Sequence, residues 1–162
     1  EIVGVEYDPM VVAAARQHFD LDSLGLEVLV DDALEILKTE KRRFDLIIDD
    51  VFVGEGWDVH KPDWFPNPAH DLAADLLEEG GLLVSNTIDE FAPIRAGLRD
   101  KFPGVLQITV IDYDNRIYVA GPKDLDAREL RAKVACEPVL KSSLSVLRFR
   151  KATTAAKVKL LD

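Results

Sequence analysis

Apolar and polar positions along this chain switch repeatedly between a strand-like and a helix-like spacing. Ile2-Val3-Gly4-Val5 is a short apolar run. Asp8-Pro9 follows it and suits a helix cap with proline in the first turn. Val11, Val12, Ala15 and Phe19 then recur at helical spacing. Leu26 to Val30 alternates as a strand, and Ala33, Ile36 and Leu37 mark a short helix. Phe44 to Ile48 reads as a buried strand that ends in the acidic pair Asp49-Asp50. An irregular stretch, Phe52 to Pro68, carries both tryptophans. Beyond it Leu72, Leu76 and Leu77 restore the helical period, with Gly80-Gly81 predicted to close that helix. Leu82 to Asn86 predicts another buried strand, and Phe91, Ile94, Leu98 and Phe102 the next helix, stopped at Pro103-Gly104. Leu106 to Ile111 and Arg116 to Ala120 flank Asp112-Tyr113-Asp114-Asn115 as a hairpin.

This alternation predicts an α/β fold, a three-layer sandwich around a mostly parallel sheet with a C-terminal antiparallel hairpin strand. Two regions follow from the pattern: a layered domain over 1–122 and a helical, basic extension over 123–162. Beyond Cys136 the periodicity fades, and the sequence leaves open whether the extension is an arm, a partner-binding segment or disorder.

With 162 residues and 48% hydrophobic positions the chain has enough material for one domain with a core. No apolar run approaches the roughly 20 residues that cross a bilayer, and Glu1 to Val5 reads as a strand rather than a leader. Cys136 is the single cysteine, so no internal disulfide forms and a reducing cytoplasm is expected. The net charge of -10 is unevenly spread: from Lys141 onward six basic residues face one acid, Asp162. An acidic body argues against nucleic acid and suits a cationic partner, a small-molecule or protein amine, although charge of this kind also simply solubilises a surface. A homodimer stays compatible with the sequence.

Acidic residues stand where open α/β sheets bind ligands, beyond the carboxyl ends of strands. Glu6 follows the first strand, Asp31-Asp32 the second and Asp49-Asp50 the third. One such carboxylate can accept both hydroxyls of a ribose, a second the exocyclic amine of adenine, and a third can orient or deprotonate an amine. Each also has a simpler reading. Asp8 reads as a helix cap, Asp31 or Asp32 as a cap or a ligand, and Asp49-Asp50 as a solvated turn or a site.

The ordered set of segments resembles the spermidine synthases and their class I methyltransferase relatives. Val5-Glu6-Tyr7-Asp8-Pro9 with Val11-Val12 and Ala15-Arg16 resembles "VEIDPxVVxxAR". Asp31-Asp32-Ala33 resembles "GDA", and Phe44 to Phe52 resembles "YDLIIVDVF". Leu76 to Asn86 resembles "LxPGGxLVVN", and Asn115 to Gly121 the "NxVxVAG" ending. The resemblance spans roughly Glu1 to Gly121 and implies a Rossmann-like domain that binds S-adenosylmethionine or its decarboxylated form. It implies that Glu6 with Tyr7 holds the ribose, and that Asp31, Asp32 and Ala33 meet the adenine. Asp50 with Val51 would sit at the reacting centre, and Asp50 would be the catalytic aspartate that takes the proton of the attacking amine.

The family's "GGGxG" loop belongs upstream of "VEID", where this sequence starts, so a fragment of a longer chain is expected. That loop uses glycine to let backbone approach the cofactor closely. The first strand it follows lies centrally in the family's sheet. Polyamine synthases show "DSSDP" after the third strand, whereas Val51-Phe52-Val53 follows Asp50 here. Methyl transfer to an amine is therefore preferred, with aminopropyl transfer and a non-catalytic binding module as alternatives. In the loop, Glu55 and Asp58 are candidates for the missing charge, with Asp63 beside them. Trp57 and Trp64, with Phe65, are candidates to cage a cation by their ring faces or to pack as a lid. His18, His60 and His70 lack metal-ligand spacing, so no metal is expected.

Overall fold

The computed structural model describes residues 1–56 and 58–152, except the side chain of Glu55; Trp57, Lys157, Lys159 and Asp162 lie outside the described residues. It divides into two compact units, Glu1–Arg42 and the remainder from Arg43.

In the first unit, β1 (Val3–Glu6) and β2 (Glu27–Val30) pair in parallel, with Val3 opposite Glu27 and Glu6 opposite Val30. Parallel strands need a crossover, and here it is α1 (Pro9–Phe19) with a 3-10 turn at Leu21–Leu24. Asp8 starts α1 by accepting the Met10 amide at 2.7 Å, and Pro9 occupies the first turn, where its missing N–H costs nothing. Asp20 and Gly25, with φ of 52° and 67°, turn the chain out of the helix and then out of the 3-10 turn. Asp32 starts α2 (Ala33–Thr39) in the same way as Asp8, accepting the Leu34 amide at 2.7 Å.

The apolar stripe of α1 buries little. Val12 is the one fully buried side chain among the described residues of this unit, whereas Met10 is 72% and Phe19 77% exposed. Three carboxylates also gather on one guanidinium. Arg42 reaches Glu1 at 3.0 Å, Glu27 at 2.6 Å and Glu40 at 2.7 Å. Hydrogen bonds from the Arg42 side chain and amide and from the Lys41 amide bring the Glu40 carboxyl down to about 2. A lowered carboxyl contributes stability that is present above its ordinary value of 4.5 and lost as the pH falls through about 2. An NMR titration of the Glu40 carboxyl carbon is expected to give a midpoint near 2, returning toward 4.5 in Arg42→Gln. A midpoint near 4.5 in the unaltered protein would remove the cluster.

The second unit contains β3 (Phe44–Asp49), a short hairpin of β4 (Val53–Glu55) and β5 (Asp58–His60), α3 (Ala69–Asp75), β6 (Leu77–Thr87) and α4 (Phe91–Lys101). It continues with β7 (Gly104–Val110), β8 (Arg116–Gly121), α5 (Ala127–Cys136), a 3-10 turn at Lys141–Ser145 and β9 (Leu147–Lys151). Five strands form one sheet in the order β3-β6-β8-β7-β9. β3 and β6 are parallel, and each later neighbour is antiparallel, so β3, β6 and β7 share one direction and β8 and β9 oppose it. This is the α/β fold that the alternation predicts, with β7 and β8 forming the expected hairpin and β9 a further antiparallel strand.

The core lies between the sheet and α3 and α4. Leu83, Ile94, Leu98, Leu106, Tyr118 and Ala120 are all at most 1% exposed. Gly121 ends β8 where a side chain would strike Leu82 Cδ2 at 2.5 Å, which gives the terminal glycine of the hairpin motif a packing reason. No helix among the described residues is long and apolar enough to cross a membrane.

Three local expectations change. Gly80-Gly81 does not close a helix: α3 ends at Asp75, and β6 already pairs with Phe44 at Leu77. The chain then bulges through 78–81, with Gly80 at φ +81°, and re-enters the ladder at Leu82 opposite Leu46. β3 is not a buried strand. It is the end strand of its sheet, with Leu46 48% and Ile48 66% exposed. The stretch 52–68 is not wholly irregular, since it holds the β4–β5 hairpin. Past Cys136 the chain adds β9, whose ladder places Phe149 opposite Ile108.

Candidate active site

Parallel strands deliver whatever follows them to one end of a sheet, and β3 and β6 do so here with Asp49-Asp50 and Ser85-Asn86. Adjacent residues of a strand point to opposite faces. Asp49 therefore turns inward and is 6% exposed, while Asp50 is exposed. The two acids have different partners.

Asp50 Oδ1 accepts from Asn86 Nδ2 at 2.8 Å, and Asn86 Oδ1 accepts from Asn115 Nδ2 at 3.1 Å. Asn86 lies in β6 and Asn115 just before β8, so two strands and a loop aim one exposed carboxylate. Asp50 is exposed and its other oxygen has no hydrogen-bond partner among the described residues, so it can accept from an ammonium or amine.

Asp49 is bound on all sides. Oδ1 accepts from Lys61 Nζ at 2.6 Å and from the Val51 amide at 3.1 Å, and Oδ2 accepts from Ser85 Oγ at 2.6 Å. His70 Nε2 stands 3.9 Å from Oδ2, beyond a full hydrogen bond, and neither ring nitrogen has a hydrogen-bond partner among the described residues. Burial pushes the Asp49 carboxyl up. The His70 imidazole, the Lys61 charge and bond and the Ser85 hydroxyl outweigh it and hold the group below the ordinary aspartate value. Burial draws the Lys61 ammonium below the ordinary lysine value against the pull of Asp49. Lys61 is 4% exposed, and its ammonium lies 4.4 Å from the Phe52 ring centre and 4.7 Å from that of Phe65.

In the loop, Trp64 stacks on Phe65 with ring centres 4.5 Å apart. The cation over Phe65 is Lys61, so this part of the expected aromatic cage holds a residue of the chain itself. Asp58 is exposed on β5, 3.9 Å from His60 Nδ1. Glu55 lies in β4, and Trp57 falls outside the described residues.

The remaining candidates belong to the first unit. Glu6 ends β1 and accepts the Asp8 amide on Oε1 at 2.9 Å. The Asp31 amide donates to the Glu6 carbonyl at 3.1 Å, so Glu6, Asp31 and Asp32 sit together at the carboxyl ends of β1 and β2. Asp31 accepts the Asp32 amide at 2.8 Å, Asp32 caps α2, Ala33 is that helix's first residue, and Tyr7 is 76% exposed. Glu6 keeps a second carboxylate oxygen and Asp31 and Asp32 stand beside it, acceptors of the kind that hydroxyls and amines need. Among the described residues, no group of three or more His, Cys, Asp or Glu could hold a metal ion.

The sequence did not point to Lys61, His70 or Ser85 as parts of one cluster. A lysine between aromatic and proline residues, twelve positions after an acid at a strand end, is the one signal that bears on it.

No protein-family model matches the sequence, and no curated protein matches it. Solved structures do. The fold is that of the spermidine synthases and class I S-adenosylmethionine-dependent methyltransferases. A probable spermidine synthase from Corynebacterium glutamicum is 20% identical, with a TM-score of 0.71 over 93% of this chain and 57% of that one. Human methyltransferase-like protein 13, solved in complex with SAH, is 20% identical, with a TM-score of 0.69 over 99% of this chain and 76% of that one. A spermidine synthase in complex with the transition state analogue AdoDATO is 19% identical, with a TM-score of 0.56 over 88% and 55%. The chain thus spans little more than half the length of the two synthases.

Proposed function

We propose that the chain is part of a longer S-adenosylmethionine-dependent methyltransferase that acts on an amine, small-molecule or protein, in the cytoplasm. The observation that carries this reading is Asp50, an exposed carboxylate at the end of β3 aimed by Asn86 and Asn115. Such a group binds an alkylammonium, orients its nitrogen and takes a proton from it, so that the freed electron pair can attack the activated carbon as the C–S bond breaks and the thioether leaves. S-adenosylmethionine, when bound, supplies a methyl group activated on a sulfonium. Glu6 would accept the ribose hydroxyls, with Asp31, Asp32 and Ala33 toward the adenine.

Methyl transfer is favoured over aminopropyl transfer by the state of Asp49. A diamine needs two carboxylates, and the acid beside Asp50 is buried and paired with Lys61. A longer chain is supported by the exposed apolar face of the end strand β3, Leu46 and Ile48, which a further strand and helix would cover.

The test is transfer of labelled methyl from S-adenosylmethionine to a panel of putrescine, spermidine and lysine-containing peptides, by a chain extended upstream of Glu1. Labelling of an amine is expected. Activity with decarboxylated S-adenosylmethionine and putrescine alone would replace this reading by aminopropyl transfer, and activity with neither would leave a binding module. Calorimetry adds a second measure. Micromolar affinity of residues 1–162 alone for S-adenosylmethionine would sink the longer-chain proposal. In the extended chain, Glu6→Ala is expected to weaken that affinity tenfold or more, from charge-assisted bonds of roughly 1.5–3 kcal/mol; unchanged affinity would remove Glu6 from the site.

A further inference from the structure

A buried ion pair is a poor way to gain stability. Taking both charges out of water costs about as much as their attraction returns, and apolar residues of the same volume often do better. The Lys61–Asp49 pair therefore calls for a reason beyond stability, and its contacts supply one. The Lys61 ammonium touches the segment that presents Asp50 on both sides. It bonds the Asp49 carboxylate at 2.6 Å and lies over the Phe52 ring at 4.4 Å. The same carboxylate accepts the Val51 amide, so the two residues that follow β3 are held in a closed turn. Ser85 donates to it from β6, next in sequence to the Asn86 that aims Asp50. Lys61 is itself clamped, because its amide donates to Glu90 Oε1 at 2.7 Å at the start of α4.

We propose that Lys61 is a positioning residue: by gripping Asp49 and Phe52 it fixes the turn through Val51 and thereby the direction of the Asp50 carboxylate. This rests on the reading of Asp50 as the amine-binding acid. Lys61 touches no substrate and donates no proton to one. Its effect on the reaction runs through the backbone of residues 49–52 and through the attraction between its charge and Asp50. An ammonium at this position also ties the loop of residues 52–68 to the end of β3, so loop and carboxylate keep one geometry.

The experiment uses Lys61→Met, which keeps most of the volume and removes the charge, and Lys61→Met/Asp49→Leu, which removes the pair together. Hydrogen exchange at the Val51 amide is read against Leu83 in the core, and methyl transfer is read on whichever amine of the panel accepts. In Lys61→Met, exchange at Val51 is expected to rise about tenfold or more relative to Leu83, as a charge-assisted bond is weakened. The kcat is expected to fall by roughly the same factor with KM for S-adenosylmethionine unchanged. The double variant is expected to melt near the unaltered protein yet stay slow. If Lys61→Met does not fold, the double variant decides alone.

Wild-type kcat in a stable double variant would overturn the proposal and leave the pair a structural filler. Unchanged Val51 exchange in Lys61→Met would overturn it as well, whatever the activity. A double variant that also fails to fold would show that the pair serves the fold instead. Failure of the underlying reading looks different: Asp50→Asn would then turn over normally while Val51 still responded to Lys61.

Discussion

Asp50→Asn is expected to slow amine methylation by about 10²- to 10⁴-fold, the usual contribution of a positioned general base. The substitution is nearly isosteric, and an amide oxygen can still accept from Asn86 Nδ2, now 2.8 Å from the carboxylate. What it loses is the negative charge that holds an ammonium and the capacity to take up its proton. Affinity for S-adenosylmethionine should therefore stay close to that of the unaltered protein, and kcat should carry the change. Steady-state kinetics on the extended chain decides the matter. Turnover within a few-fold of the original would demote Asp50 to a surface acid. Asn86→Ala gives a graded control, since it leaves the charge and removes its aim.

The second large effect concerns stability. Tyr118 is fully buried at the centre of the sheet, opposite Ser85 on one side and Gln107 on the other. Its hydroxyl donates to the Phe91 carbonyl at 3.3 Å, a long bond, and burial pushes its own ionisation up. Two contributions compete at this residue, ring packing and the hydroxyl bond. Tyr118→Ala is expected to cost about 3–5 kcal/mol, the range for aromatic truncation in a core. Tyr118→Phe is expected to cost about 1 kcal/mol, since it removes a single neutral bond. Packing wins by this account, and chemical denaturation of the two variants measures the ratio. Equal losses would mean that the hydroxyl, not the ring, holds α4 to the sheet.

Much of this architecture is legible from spacing because each element obeys a local rule. Asp8-Pro9 caps α1 as its sequence requires, and Leu106 to Ala120 folds as the hairpin that its turn residues announce. The errors share a physical cause, which is that sequence period reports what a segment can bury and not what covers it. Phe44 to Ile48 has the composition of a central strand but ends its sheet, so Leu46 and Ile48 are exposed. Gly80-Gly81 looks like a helix stop, yet Leu77 enters the ladder before it because Phe44 lies beside it. The site divides along the same line. Asp50 stands at a strand end, and Asn86 and Asn115 lie in segments that the motifs mark, so their meeting could be anticipated. Lys61 and His70 reach Asp49 only through the path of the loop, which no periodicity encodes.

The two margins of the main sheet differ in character. Along β9, Arg148, Arg150 and Lys151 are exposed, and like charges on facing copies would repel an added strand. Along β3, Leu46 and Ile48 are exposed and apolar, with Asp45 the one exposed charge. Strand addition is therefore opposed more strongly at β9 than at β3.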